Sequence, residues 1–243
     1  MLISIAIVPC LIHIRSSVLL AQDIPIDYIS KTLQSNLNKK RNNPFTVFSS
    51  KEASIELNNL YKNFIKRFPD AKWSIKRGDD LGDGRASLDI EITGSQTKGD
   101  LLYKLESKQK VGYEIENKKI SNSEIISSYS IVRTGNKDIQ ISVSSPNMAL
   151  TGTQYEFNLI LDKPVKNEIL AGGLINLSSK QIKNNLNPHI ELLPLGSGGL
   201  FKLVQAPLSP GNQYLAAIIA HPDGIISITK SIKIVSNQSS LKN

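Results

Sequence analysis

The sequence contains few of the residues that support metal binding or nucleophilic catalysis. Its 243 residues include one cysteine, Cys10, and three histidines. A chain with one cysteine cannot form an internal disulfide or a metal site built from several thiolates. No histidine lies between residues 14 and 188, and His189 and His221 each stand beside a proline in a predicted turn. We therefore expect no catalytic residue, no metal site and no cofactor.

Basic residues are in excess, but they are not clustered. Lysine and arginine number 29 against 21 acidic residues, which gives a net charge of +8. A basic surface favours anionic partners. Along one predicted strand, however, basic and acidic residues share a single face, and that face lacks the interleaved aromatics of a single-stranded nucleic-acid site. These charged residues are Lys104, Glu106, Lys108, Lys110, Glu114 and Glu116. We expect no nucleic-acid partner.

One apolar run stands near the amino terminus, and it is short. Residues 2–12 form a largely apolar run of 11 residues, which suits the hydrophobic part of a signal peptide and is too short to span a bilayer. Ala21 is a candidate cleavage residue. We predict that residues 1–21 are a signal peptide or a retained membrane anchor, and that the protein is exported to the periplasm, a lumen or the extracellular space. A cytoplasmic location is the remaining alternative.

Residues 22–135 have the periodicity of two helices followed by a sheet. Apolar residues recur at helical spacing over residues 26–40 and 50–68, with Ser49 and Glu52 spaced as a capping box on the second helix. Residues 71–134 then alternate with period two, which predicts four antiparallel strands with one solvated face. The inward positions of the third strand are Leu101, Tyr103, Leu105, Ser107, Gln109, Val111, Tyr113 and Ile115. Gly112 within that strand predicts a bulge or a sharp bend.

Residues 138–236 are predicted to form a second domain, an all-β immunoglobulin-like sandwich. Beyond the turn at residues 135–138, helical periodicity almost vanishes. About seven short strands separated by turn residues are typical of such a sandwich. The predicted strands cover residues 139–143, 154–162, 170–177, 190–195, 200–205, 213–220 and 225–235. The polar tail, residues 237–243, is predicted to be disordered.

Residues 50–134 resemble the nuclear transport factor 2-like superfamily, which includes ketosteroid isomerases and polyketide cyclases. The segments that carry the resemblance are IELNNLYKNFIKRFPD, KWSI, DGRASLDIEITGS, YKLESKQKVGYEIENKKI and IISSYSIVRTG. The resemblance implies helices that wrap a strongly curved sheet and enclose a cone-shaped pocket. The fold class expected for the chain is therefore α+β, with helices on a curved four-stranded antiparallel sheet, followed by an immunoglobulin-like β-sandwich.

A ligand in that cone would meet polar and aromatic side chains on the buried face of the sheet. Ser107 and Gln109 would form the floor. The walls would come from Trp73, Tyr103, Tyr113 and Tyr129. A few polar groups among aromatics are typical of small-molecule sites, although the same aromatics also suit an ordinary core. We predict these six residues as the candidate ligand-binding set.

The residues favour an exported, non-catalytic binding or scaffold protein that holds a protein partner or a small hydrophobic ligand. The alternative is an isomerase-like or cyclase-like enzyme, which needs a carboxylate or a tyrosine with a perturbed pKa inside the cone. Glu106 and Glu124 are the nearest carboxylates; Glu106 is predicted to face outward, and a one-residue slip would turn it inward. Membrane contact is expected only through an uncleaved segment 1–21. A homodimer, if one forms, is expected to use the sheet of the first domain.

Overall fold

The computed structural model describes residues 26–135, 139–163, 165, 169–183, 188–196 and 198–238. The predicted signal or anchor segment, residues 1–21, lies outside the described residues. So do residues 136–138 of the predicted boundary and residues 239–243 of the predicted tail. None of the helices in the described part of the chain has the length and apolar character needed to cross a membrane.

Three helices and twelve strands follow one another along the described chain. The helices are α1 (Ile26–Asn38), α2 (Lys51–Arg67) and α3 (Ser179–Lys183). The first six strands are β1 (Lys72–Arg77), β2 (Ala86–Lys98), β3 (Leu101–Glu116), β4 (Lys119–Thr134), β5 (Ile141–Ser144) and β6 (Met148–Leu150). The others are β7 (Gln154–Leu161), β8 (Leu170–Leu177), β9 (Leu193–Leu195), β10 (Gly199–Gln205), β11 (Gly211–His221) and β12 (Gly224–Val235).

The described chain divides into two compact units. Of the described residues, the helix–sheet unit contains 26–96 and 106–126. The sandwich unit contains residues 97–105 and the residues from 127 onward. The division cuts through β2, β3 and β4, so it differs from the predicted domain limits of 22–135 and 138–236, which remain predictions.

Helix α2 forms where the apolar stripe predicts it, and its N-cap lies one residue after the predicted cap. Ser50, not Ser49, is the N-cap, and its hydroxyl accepts a hydrogen bond from the backbone N–H of Ala53 at 3.1 Å. The helix buries Leu57 and Tyr61, each of which contributes roughly 1.5–3 kcal/mol through burial. The Tyr61 hydroxyl also donates to the carbonyl oxygen of Leu37 at 2.8 Å, which joins α2 to α1.

The central part of β3 confirms the predicted side-chain register. Leu105, Ser107 and Gln109 are buried, whereas Glu106 and Lys108 are exposed. The Lys108 ammonium lies 3.3 Å from a carboxylate oxygen of Glu91 on the solvent side. The alternation therefore places charge in water and neutral side chains in the interior, as period two requires.

The sandwich unit packs a three-stranded sheet, ordered β10-β7-β5, against strands of a larger sheet. From the three-stranded sheet, Phe157, Leu159 and Leu200 enter the core with no exposed surface. From the larger sheet, the core residues include Ile131, Leu215, Ala217, Ile219, Ile226, Ile228, Ile232 and Ile234. Strands appear at all the positions predicted for the second domain, and the additional short strand β6 pairs in parallel with β12.

The predicted fold class is wrong in its architecture. The chain is mostly β and contains one nine-stranded sheet, ordered β1-β2-β3-β4-β12-β11-β8-β9 with β6 beside β12. A separate four-stranded cone followed by an independent immunoglobulin-like sandwich is not formed. The reason lies in β4, which extends to Thr134 and pairs with β12 from Ser128↔Ser231 to Arg133↔Ile226. Periodicity shows which residues are extended, but it carries no information on which distant strand they pair with.

Candidate functional site

The six predicted ligand-binding residues are divided between the two units. Trp73, Ser107, Gln109 and Tyr113 are buried in the helix–sheet unit. Tyr103 and Tyr129 are half-buried and belong to the sandwich unit, where Tyr129 packs against the hydrophobic core. The structure thus does not gather all six residues within one unit, and their ligand-binding role remains a prediction.

Trp73 is part of an aromatic cluster. Its ring centroid lies 5.5 Å from that of Tyr61 and 5.5 Å from that of Phe64, both on α2. Tyr61 in turn meets Phe45 edge-on at 6.1 Å. Aromatic pairs at these separations stabilise a core beyond the area that they bury. The position of Trp73 is therefore accounted for by packing.

Tyr113 has a buried hydroxyl without a hydrogen-bond partner among the described residues. Its side chain is 1% exposed, and its hydroxyl makes no hydrogen bond to a described residue. Burial raises the pKa of this phenol, so it is neutral at physiological pH. The neighbouring Gly112 leaves room for Leu81, whose Cδ1 would lie 2.6 Å from an added Cβ. Close packing therefore gives Gly112 a role that its sequence position did not predict.

The carboxylates that the enzymatic alternative needs are on the solvent side or paired. Glu106 is exposed on β3. Glu124 accepts a hydrogen bond from the Arg85 guanidinium at 2.8 Å. Among the residues that the structure describes, no group of three or more His, Cys, Asp or Glu side chains is arranged to hold a metal ion. The geometry in this region therefore suits packing.

Strand β10 lies at an edge of the three-stranded sheet and pairs there with β7. In antiparallel sheets, residue pairs that exchange two backbone hydrogen bonds alternate with pairs that exchange none. The N–H of Leu161 donates to Gly198 and the N–H of Ala206 donates to Thr153, which continues the β10–β7 register at both ends. Even-numbered residues of β10 therefore direct their backbone groups toward β7.

The odd-numbered residues of β10 direct their backbone N–H and C=O groups toward the other side of the strand. No described strand pairs with Phe201 or Leu203 on that side. Their side chains stand on the outer face of the sheet and are 57% and 63% exposed. Ile160 on β7 is also exposed on this face. We call Phe201, Leu203 and Ile160 the outer apolar patch.

A pocket of about 630 Å³ opens where β10 leads into the loop before β11. Its lining combines side-chain amides with apolar groups, and Tyr214 is its one ionisable side chain. The lining residues are Asn176, Leu177, Gln205, Ala206, Pro207, Leu208, Asn212, Gln213 and Tyr214. We call this the amide pocket.

Backbone carbonyls fix the orientation of the amides in this pocket. The Gln213 Nε2 group donates to the backbone oxygen of Gln205 at 3.1 Å and to the Asn176 Oδ1 at 2.7 Å. Because a carbonyl oxygen only accepts, the Gln213 amide cannot be reversed, and its Oε1 accepts from the Tyr155 hydroxyl at 2.8 Å. The Gln205 Nε2 group similarly donates to the carbonyl of Gly152 at 2.8 Å.

The two tyrosines beside these amides are held neutral. Burial raises the pKa of Tyr155 to about 12. Burial also raises the pKa of Tyr214, and a hydrogen bond from Asn212 partly opposes that shift. Both phenols are therefore hydrogen-bonding groups without charge at physiological pH, and the pocket as a whole is neutral.

Comparison with known proteins gives one partial family match. Residues 136–235 match the family described as "Domain of unknown function (DUF8623)". Among curated proteins, none matches the chain. The predicted resemblance to the nuclear transport factor 2-like superfamily is wrong, since no model of that superfamily matches and the region joins the large β-sheet. That resemblance depended on a helix followed by alternating strands, a pattern that unrelated α+β and β-rich proteins share.

Proposed function

We propose that this chain is an exported, non-catalytic binding or scaffold protein whose sandwich unit receives an extended segment of a partner protein. The observation that carries the proposal is the edge of β10, where Phe201 and Leu203 combine outward-directed backbone groups with exposed apolar side chains. An added strand would pair with those backbone groups, while its side chains would reach the outer apolar patch. Export is expected from residues 1–21.

The charge on β10 indicates the chemistry of such a segment. Lys202 is exposed on the strand and makes no ion pair with a described residue. Natural edge strands often carry a lysine that discourages indiscriminate pairing. A partner strand with alternating apolar residues and a carboxylate near Lys202 would satisfy both features. Pairing of two copies with Lys202 opposite Lys202 would place like charges together, which is unfavourable.

Photo-crosslinking tests this proposal in cells that produce the full chain. Benzoylphenylalanine replaces Phe201 in one variant and Lys108, on the charged face of β3, in a matched control. We expect an adduct with a partner protein from position 201 and none from position 108. Mass spectrometry of the adduct should identify an extended segment that carries an acidic residue.

A proline substitution separates strand addition from simple apolar contact. Leu203→Pro removes an N–H that β7 does not use, so the fold should tolerate it, whereas strand addition at this edge should be lost. Leu203→Ala keeps the N–H and should retain most of the adduct. An adduct that persists in Leu203→Pro would contradict the proposal, and an adduct made of two copies of the chain would replace it with self-association.

A further inference from the structure

The amide pocket presents one donor group and one acceptor group that the fold leaves unoccupied. The Asn176 Oδ1 accepts from Gln213, so its Nδ2 group, which has no described partner, remains available as a donor. The Gln205 Nε2 group is occupied by the carbonyl of Gly152, so its Oε1 remains available as an acceptor. Both residues line the same pocket.

Asn176 and Gln205 are themselves exposed, but the orientation of the Asn176 amide is fixed by buried residues. Gln213, which holds Asn176, is 6% exposed, and Tyr155, which holds Gln213, is 8% exposed. Reversing the Asn176 amide would bring two N–H groups together and leave a buried donor unsatisfied. The fold thus keeps a donor and an acceptor available on the pocket lining.

The rest of the lining indicates a neutral ligand with a small apolar part. No lysine, arginine, aspartate or glutamate lines the pocket, so an ionic ligand would have no counter-charge there. Leu208, which is 88% exposed, and Pro207 provide apolar surface beside the amides. A secondary amide that carries a methyl group matches this set, because its carbonyl accepts, its N–H donates and its methyl group is apolar.

We propose that the amide pocket binds neutral ligands through a secondary amide, with Asn176 donating to the amide carbonyl and Gln205 accepting from the amide N–H. Two sources share this chemistry: an N-acetylated sugar and a peptide bond. The proposal does not depend on strand addition at β10, because the probes below are too short to form a strand.

Nuclear magnetic resonance of the full chain tests the proposal through the side-chain amide signals. Three probes are titrated separately: diacetylchitobiose, N-acetylalanine methylamide and maltose, which has hydroxyls but no amide. We expect at least one amide probe to shift the signals of Asn176 and Gln205, and maltose to leave them unchanged. The amide probe that binds more tightly identifies the source.

The variant Asn176→Asp removes the donor and keeps the supporting contact. An aspartate oxygen still accepts from Gln213, so the network survives, but no Nδ2 group remains for the ligand. We expect the affinity for the amide probe to fall about tenfold, the effect of one lost hydrogen bond. Asn63→Asp, an exposed position on α2, makes the same change of charge and should leave binding unaltered.

Three results would overturn the proposal. One is that neither amide probe shifts the side-chain amide signals of Asn176 and Gln205, even at the highest concentration that the protein tolerates. Another is binding of maltose as strong as that of the amide probes. The last is an Asn176→Asp variant that binds as the wild type does.

Discussion

The outer faces of β3 and β10 have the same periodicity and opposite chemistry. Each strand alternates buried and exposed side chains over part of its length. On β3 the exposed residues include Glu106 and Lys108, whereas on β10 they include Phe201 and Leu203. Alternation alone therefore identifies a strand with one buried face. The type of residue on the other face distinguishes a solvated surface from one suited to a partner.

The largest effect is expected from a charge placed on the buried side of the helix–sheet unit. Leu57 is 3% exposed on α2, and Leu57→Asp would bury an unpaired carboxylate. We expect a loss of about 4 kcal/mol or more in the free energy of unfolding, enough to unfold this unit. Circular dichroism during urea unfolding measures the loss. The control Glu56→Ala changes an exposed residue of the same helix and should leave the free energy of unfolding nearly unchanged. A soluble Leu57→Asp protein with an unchanged melting temperature would show that the α2 assignment is wrong.

A smaller effect is expected from the buried hydroxyl of Tyr155. Tyr155→Phe leaves the Gln213 Oε1 without its donor, which should cost about 1–3 kcal/mol at pH 7. The exposed Tyr28→Phe should cost nothing measurable. If the two variants were equally stable, the hydroxyl network would not contribute to the sandwich unit.

Tyr155 should also make the stability of the sandwich unit fall at alkaline pH. The pKa of Tyr155 rises from 10.0 to about 12 on folding, so between these values the folded state keeps a proton that the unfolded state releases. Stability is then fully present below pH 10 and falls by about 2–3 kcal/mol as pH rises through 12. Urea unfolding at pH 9, 10.5 and 11.5 should show this decline. Its slope should be shallower in Tyr155→Phe, and identical slopes would refute the assignment.

The smallest effects on stability are expected on the two outer faces, and they sharpen the contrast between them. Lys108→Ala removes an exposed ion pair with Glu91, and Phe201→Ser removes an exposed ring; each should change stability by less than about 1 kcal/mol. Only Phe201→Ser should raise the concentration at which the protein precipitates, because it alone removes exposed apolar surface. A comparable gain in solubility from Lys108→Ala would remove the distinction.

Local features of the helix–sheet unit could be predicted from the sequence, whereas the long-range pairing of β4 with β12 could not. The burial of Leu57 and Tyr61 follows from the helical stripe, and the exposure of Lys108 follows from alternation. The pairing of Ser128 with Ser231 joins residues 103 positions apart, and their side chains lie 3.0 Å from each other. Serines at such a separation carry no pattern that identifies them as neighbours. The predicted cone failed for this reason.

The candidate site illustrates the same limit more strongly. Asn176, Gln205 and Gln213 come from three different strands, and each is an ordinary polar residue in the sequence. The apolar residues of β10 predict a strand, but the free edge depends on the order of strands in the sheet. The family resemblance implied a pocket over residues 50–134, whereas the amide pocket is lined by residues 176–214.

Most of the helices and strands, and the apolar side of each, follow from the sequence alone, because these properties depend on residues within a few positions of one another. Only the tertiary packing places β4 beside β12, leaves β10 with an edge that no described strand pairs with, and joins the Gln213 amide to Tyr155 and Asn176. Those outcomes depend on contacts between distant segments, which close only when the whole core packs.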